Sequence, residues 1–280
     1  MPIKVYKPTR GARKKMSIVD RSAIHRGKPN KKLSKGAKRI SGRGKQGKIT
    51  IRHRGGGAKR KLRSVDFGQE KIGVSAQVER VEYDPNRTAF LALLKYNDGD
   101  RRYRLAWEGA VPGENVTCGP DAPEKPGNRL PLAKITPGTT VYNVEIKPGR
   151  GGKLLRSAGC AAVVMDVKGA HGQLKLASGE IRLIPKDSYV TVGQASNADK
   201  WLERIGSAGR QRRRGRRPQV RGKVMNPVDH PHGGGEGAQP IGMKHPKTPW
   251  GKPALGVRTR RKRKYSDHLI LKRRSRKKRK

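Results

Sequence analysis

Residues 72–107 read IGVSAQVERVEYDPNRTAFLALLKYNDGDRRYRLAW, three runs rich in β-branched, leucine and tyrosine residues separated by two turn sequences. The runs Ile72 to Tyr83, Thr88 to Tyr96 and Arg101 to Trp107 predict strands, because such side chains suit a pleated, half-buried surface. Asp84-Pro85-Asn86 predicts a tight turn between the first two. Asn97-Asp98-Gly99-Asp100 predicts another between the second two, with Gly99 free to take positive φ. The expected product is a meander of antiparallel strands. Its length and strand density fit a five-stranded Greek-key barrel of the OB type, although strand pattern does not separate that barrel from other small ones.

Downstream, Gly119-Pro120 to Gly127-Asn128, with Pro123 and Pro126 inside it, interrupts any regular element and marks an internal boundary. A second β unit is expected beyond it. Val141 to Ile146 reads as a strand, and Leu174, Leu176, Ile181 and Leu183 alternate around Ala177-Ser178-Gly179-Glu180 as a hairpin with one buried face. Short strands with Gly-rich connections suit an SH3-like barrel. Ser196 as N-cap, Asp199 three residues on, and Gly206 as a stop predict a short closing helix through Trp201, Leu202 and Ile205.

Upstream of Leu62 no periodicity is sustained, and Gly27-Lys28-Pro29-Asn30, Gly42-Arg43-Gly44 and Gly55-Gly56-Gly57 punctuate the chain. The far end carries Arg210 to Pro218, a Gly/Pro/His segment, and a basic tail from Arg258 to Lys280. The expected organisation is mainly β. It comprises a basic N-terminal extension (1–60), an OB-fold RNA-binding domain (61–125), an SH3-like barrel with a closing helix (126–205), and a basic C-terminal extension (206–280).

Charge follows the same division. The 280-residue chain has a formal net charge of +47, yet residues 61–200 hold 21 basic and 16 acidic residues. Residues 1–60 hold 21 basic and 1 acidic, and residues 201–280 hold 26 and 4. A nearly balanced body between two polycationic arms implies a polyanionic partner that orders the arms. Lys and Arg there neutralise phosphates and release counterions, while interleaved glycines admit close backbone approach. Charge alone leaves DNA open. Aromatics at 4% disfavour a platform that stacks splayed bases and favour recognition of phosphate and shape.

Several other classes recede. Cys118 and Cys160 have no CxxC partner, so neither a disulfide framework nor a zinc ribbon is supported. No apolar run reaches the roughly 20 residues of a membrane helix, and the N-terminus lacks a secretory apolar core, so a cytoplasmic protein is expected. Gly55-Gly56-Gly57 lacks the Gly-Lys-Ser/Thr ending of a nucleotide loop. Met225-Asn226-Pro227-Val228-Asp229-His230-Pro231-His232-Gly233-Gly234-Gly235-Glu236-Gly237 concentrates titratable groups. However, Pro231 splits the imidazoles and no helix supplies metal-ligand spacing. Asp229 could orient an imidazole for general-base work by His230, yet no nucleophile or oxyanion site accompanies it. Histidines that hydrogen-bond RNA, with glycines allowing close contact, are the favoured reading. Neither metal nor cofactor is expected, and no catalytic residue is assigned.

The segment from Met225 to Gly237, with His245-Pro246 and Thr248-Pro249-Trp250-Gly251, resembles the signature of the bacterial large-subunit ribosomal protein L-two family. Tyr6-Lys7-Pro8-Thr9, Thr50-Ile51-Arg52-His53-Arg54-Gly55-Gly56-Gly57, Tyr83 to Ala89 and Arg156-Ser157-Ala158-Gly159 are similar to further family motifs, in family order. The resemblance implies an OB-fold followed by an SH3-like barrel, and binding of 23S ribosomal RNA. It also implies neighbouring ribosomal proteins as partners, a contact to the small subunit at a bridge, and a C-terminal segment near the peptidyl-transferase region. No membrane or DNA partner is expected. Arg87 and Arg156 match family RNA-contact positions, and His230 matches a family histidine once discussed in peptide-bond formation. The expected RNA-binding set is Arg52, His53, Arg54, Gly55, Gly56, Gly57, Arg87, Arg156, Arg212, Arg213, Arg214, Arg216, Arg217, Asn226, His230, His232, Gly233, Gly234 and Gly235. The basic terminus from Arg273 to Lys280 departs from the family pattern. A DNA-compacting protein and an RNA-modifying enzyme with His230 in its site are the competing hypotheses.

Overall fold

A computed structural model of the chain describes residues 3–9, 11, 13–236, 240–257, 259–261 and 263–274. Pro2, Gly237, Arg258 and the last six residues of the basic terminus lie outside that set. The chain forms two compact units, the first from residues 1–38, 59–207 and 266–280, the second from 39–58 and 208–265.

The first unit is mainly β and contains the three runs that opened the sequence reading. Strands Arg101–Leu105, Leu91–Tyr96, Ala76–Glu82 and Asn115–Val116 stand in that order in one antiparallel sheet. Leu91, Ala92, Leu93 and Leu94 are fully buried on successive positions, so the Leu91–Tyr96 strand is covered on both faces. In Ala76–Glu82, Ala76 and Val78 face the core until a bulge between Val78 and Arg80 shifts the alternation and puts Val81 inside. Gly99 takes φ +83° in the turn before Arg101, as its position required. This sheet is the OB-type half of the fold.

Seven antiparallel strands form the SH3-like half, in the order Ile270–Lys272, Ile181–Pro185, His171–Leu176, Ala162–Lys168, Thr140–Tyr142, Tyr189–Val192, Arg129–Pro131. Leu130, Leu132, Val141, Val164, Leu174, Ile184 and Val190 make its core. The hairpin turns at Ser178-Gly179, with the Leu176 N–H donating to the Glu180 carbonyl. Its register corrects the expected face. Leu174 stands opposite Arg182, and Gly172 opposite Ile184, so Ile184 joins Leu174 in the core while Ile181 and Leu183 point the other way. The outermost strand, Ile270–Lys272, comes from the C-terminal tail, and no sequence pattern announced it.

The closing helix also differs from expectation. Residues Ala198–Leu202 form a 3₁₀ turn entered through Asn197 at φ +65° with no side-chain cap. Ser196 cannot cap it because its hydroxyl accepts the Phe90 N–H at 3.0 Å, tying the turn to the first sheet.

A charged pair is sealed inside the first unit. Arg129 donates to Glu145 at 2.7 Å with both side chains sealed from solvent, and also to the Asn143 carbonyl at 2.8 Å. Glu145 accepts the Gly149 and Tyr189 N–H groups at 3.2 and 3.3 Å. Burial pulls the guanidinium down from its ordinary value, and the Glu145 carboxylate opposes that shift. Cys118 and Cys160 are free thiols, and burial pushes the Cys118 thiol up, away from the reactive thiolate.

Candidate RNA interface

The second unit has a composition that cannot bury a core. Its residues include 23 basic and 2 acidic side chains. Val228, Leu255 and Trp250 are 90%, 84% and 73% exposed. Among its described residues a single side chain is buried, that of His230. The hydrophobic term that offsets chain entropy in the barrels is therefore missing here.

What closes this unit is backbone. Residues 53–58 run antiparallel to residues 213–217, bringing together two motifs that the sequence reading had singled out separately. The Gly55 N–H donates to the Gly215 carbonyl at 2.9 Å, Ala58 to Arg213 at 2.8 Å, and Arg217 to His53 at 3.0 Å. Glycine makes the approach possible. Gly57 has φ +65°, and a Cβ there would sit 2.7 Å from the Arg213 carbonyl oxygen. His53 also takes positive φ, at 59°, with Nδ1 3.1 Å from the Pro218 carbonyl, so the proton lies on that nitrogen.

The seam has an electrostatic defect. Arg54 stands directly across from Arg216, and both are exposed. Like charges at opposed positions of an antiparallel pair repel, and Arg212, Arg213, Arg214 and Arg217 crowd the same segment. Just before the seam strand, Ala208–Arg213 form a short helix with Arg210, Arg212 and Arg213 in its last turn. Arg52 lies over the Trp250 ring at 5.1 Å, an aromatic contact that the sequence reading missed because Trp250 entered it only as part of a motif.

Residues 225–235 fold into a closed loop around His230. The Asp229 and His230 N–H groups both point to the Asn226 carbonyl, at 3.0 and 3.3 Å, and Gly234 donates to Met225 at 3.1 Å. Gly233 packs where a Cβ would fall 2.2 Å from the Asn226 carbonyl oxygen, and Gly234 and Gly235 have φ of +88° and +74°. Gly222 lies against the His230 ring, leaving no room for a side chain. The His232 N–H donates to His230 Nδ1 at 3.0 Å, and the Lys247 N–H donates to His232 Nε2 at 2.8 Å. Each imidazole thus spends a lone pair on backbone. Assigned from these bonds, the proton sits on Nε2 of His230 and on Nδ1 of His232.

Arg87 and Arg156 lie in the first unit, and the structure places them together on one ring. Their guanidinium carbons stand 5.4 and 4.2 Å from the centre of Phe67. Arg87 is anchored inward, its Nε donating to the fully buried Asp84 at 2.7 Å. Arg63 approaches the same carboxylate at 3.4 Å. Arg156 is exposed and, among the described residues, has no carboxylate partner. Phe67 escaped the sequence reading. As one of only two phenylalanines, it counted there against a stacking platform rather than as a support for cations.

Two models of known families match the chain. A model described as Ribosomal Proteins L2, RNA binding N-terminal domain, matches residues 30–118. A second, described as Ribosomal Proteins L2, C-terminal domain, matches residues 125–251. The matches take in both barrels, the seam and the histidine loop, which is most of the chain. The chain belongs to the ribosomal protein L2 family, RNA-binding structural components of the large ribosomal subunit.

Proposed function

We propose that this protein holds 23S ribosomal RNA through phosphate and shape contacts, supports association with the small subunit at a bridge, and shapes the RNA near the peptidyl-transferase centre without itself performing chemistry. Residues 61–125 and 126–205 serve as the folded domains, and within the basic extensions 1–60 and 206–280 the segments 39–58 and 208–265 depend for their order on RNA and on neighbouring ribosomal proteins, whereas Ile270–Lys272 is held by the seven-stranded sheet. The observation that carries this reading is the Arg54–Arg216 opposition in a unit whose described residues bury no apolar side chain. Such a seam is stable where polyanion neutralises it. The contacts assigned to RNA are Arg52 to Gly57, Arg212 to Arg214, Arg216, Arg217, Asn226, His230, His232 and Gly233 to Gly235, together with Arg87 and Arg156.

The test is a salt titration of the full chain on a 23S RNA transcript. Replacing Arg212, Arg213, Arg214, Arg216 and Arg217 by Gln should lower affinity by more than about tenfold and flatten the logarithmic salt slope by several units, near 0.7–0.9 per phosphate lost. An unchanged slope, or equal affinity for duplex DNA at matched salt, would contradict the assignment.

A further inference from the structure

We infer that Phe67 and Thr88 are positioning residues, which hold Arg87 and Arg156 as one two-guanidinium clamp for RNA phosphate spanning the two barrels. This rests on the RNA-binding reading given above and goes beyond it.

Two arginines on separate barrels would ordinarily act as independent, flexible charges. Here three contacts join them. Both guanidinium carbons lie within 5.4 Å of the Phe67 ring centre. The Ala158 N–H donates to the Thr88 hydroxyl at 3.0 Å, coupling the residue after Arg87 to the chain just beyond Arg156. The Gly152 N–H donates to the Phe67 carbonyl at 3.0 Å, so the loop leading to Arg156 is fastened to the backbone that carries the ring. The Thr88 carbonyl in turn accepts from the Asn197 amide at 2.6 Å. Phe67 packs at the edge of the first core, and Leu155, beside Arg156, packs there too.

The chemistry favours a phosphate ligand. A guanidinium resting on an aromatic ring uses its face for the contact and leaves its in-plane N–H donors directed outward. Holding it there removes rotamer entropy before RNA arrives. Asp84 balances Arg87, but Arg156 is uncompensated among the described residues, so the pair keeps net positive charge. A pre-oriented pair of guanidinium groups that keeps a net positive charge suits a non-bridging phosphate oxygen pair better than a base edge.

The test uses the full chain and a 23S RNA transcript, reading affinity across a salt series, with strand protection by hydrogen exchange as the fold control. Arg156→Ala should weaken binding about tenfold and reduce the salt slope by roughly one phosphate equivalent. Phe67→Leu should weaken it about threefold to tenfold with the strands still protected, and Phe67→Tyr, which restores the ring, should bind within about twofold of wild type. In the Phe67→Leu background, Arg156→Ala should cost clearly less than it does alone. Thr88→Val, which severs the Ala158 contact without touching the ring, should show the same partial loss and serves if Phe67→Leu disturbs the core. Wild-type binding by Arg156→Ala would remove the arginine from the RNA site and overturn the clamp, while failure of the RNA-binding reading itself would show as an unchanged salt slope in the Arg212 to Arg217 variants. Loss with Arg156→Ala but wild-type binding by Phe67→Leu and Thr88→Val, or costs that simply add, would overturn the clamp alone.

Discussion

The backbone N–H of His232 donates to Nδ1 of His230 at 3.0 Å, across a single proline. That bond occupies the lone pair a neutral imidazole would need at Nδ1 to accept a substrate proton, while Gly222 closes one side of the ring. A general base contributes about 10²- to 10⁴-fold and imposes its ionisation on the chemical step. His230→Gln keeps an acceptor for the His232 N–H and removes the imidazole that general-base work would need. Assembled particles carrying it should perform single-turnover peptidyl transfer within about tenfold of wild type with an unchanged pH profile, any larger defect arising in assembly. A drop beyond about a hundredfold together with a lost ionisation would make His230 catalytic.

Arg129 and Glu145 should respond asymmetrically to substitution. Removing one member leaves the other charge buried and unpaired, so Arg129→Ala should lower stability by about 3–5 kcal/mol in urea unfolding of the full chain. Arg129→Met combined with Glu145→Gln should lie closer to wild type than Arg129→Ala does, because Gln still accepts the Gly149 and Tyr189 N–H groups. A double variant as unstable as the single would show that packing, not charge, fixes this site.

Gly57→Ala should open the seam without unfolding the barrels. Positive φ costs an alanine about 1–2 kcal/mol, and the new methyl group would meet the Arg213 carbonyl. Affinity for 23S RNA should fall at least severalfold while the thermal transition of the first unit is unmoved. Wild-type affinity would show that the seam is dispensable.

Much of this was legible because it depends on local pattern. The strands from Ile72 to Trp107 declared themselves through β-branched and aromatic runs bounded by turns, and Arg87 and Arg156 were marked by their positions and family motifs. The seam was not legible, since its bonds are backbone to backbone between segments far apart in sequence, and arginines opposed to arginines carry no pairing signal. Ile184 rather than Leu183 faces the core because a four-residue turn, not the alternation of apolar letters, sets the hairpin register. The strand Ile270–Lys272 was hidden by the basic residues around it.

Hydrogen exchange on the free full chain should divide along the two units. Amides of Leu91 to Leu94, Val164 and Leu174 sit in paired, buried strands and should be strongly protected. Gly55, Ala58 and Arg217 should exchange quickly until RNA is added, because no apolar burial reinforces their bonds. Strong protection of those three amides without RNA would show that the second unit folds unaided.

The central claim is that this chain is an RNA-held structural component of the large subunit, and the most direct test is its sedimentation in cells and after washing. Tagged protein should co-sediment with large ribosomal subunits, persist through a wash at about 0.5 M salt because shape and backbone contacts add to the salt-sensitive phosphate contacts, and be released when the RNA is digested with ribonuclease. Protein that leaves the particle at moderate salt, or that sediments with DNA and not with large subunits, would contradict the account.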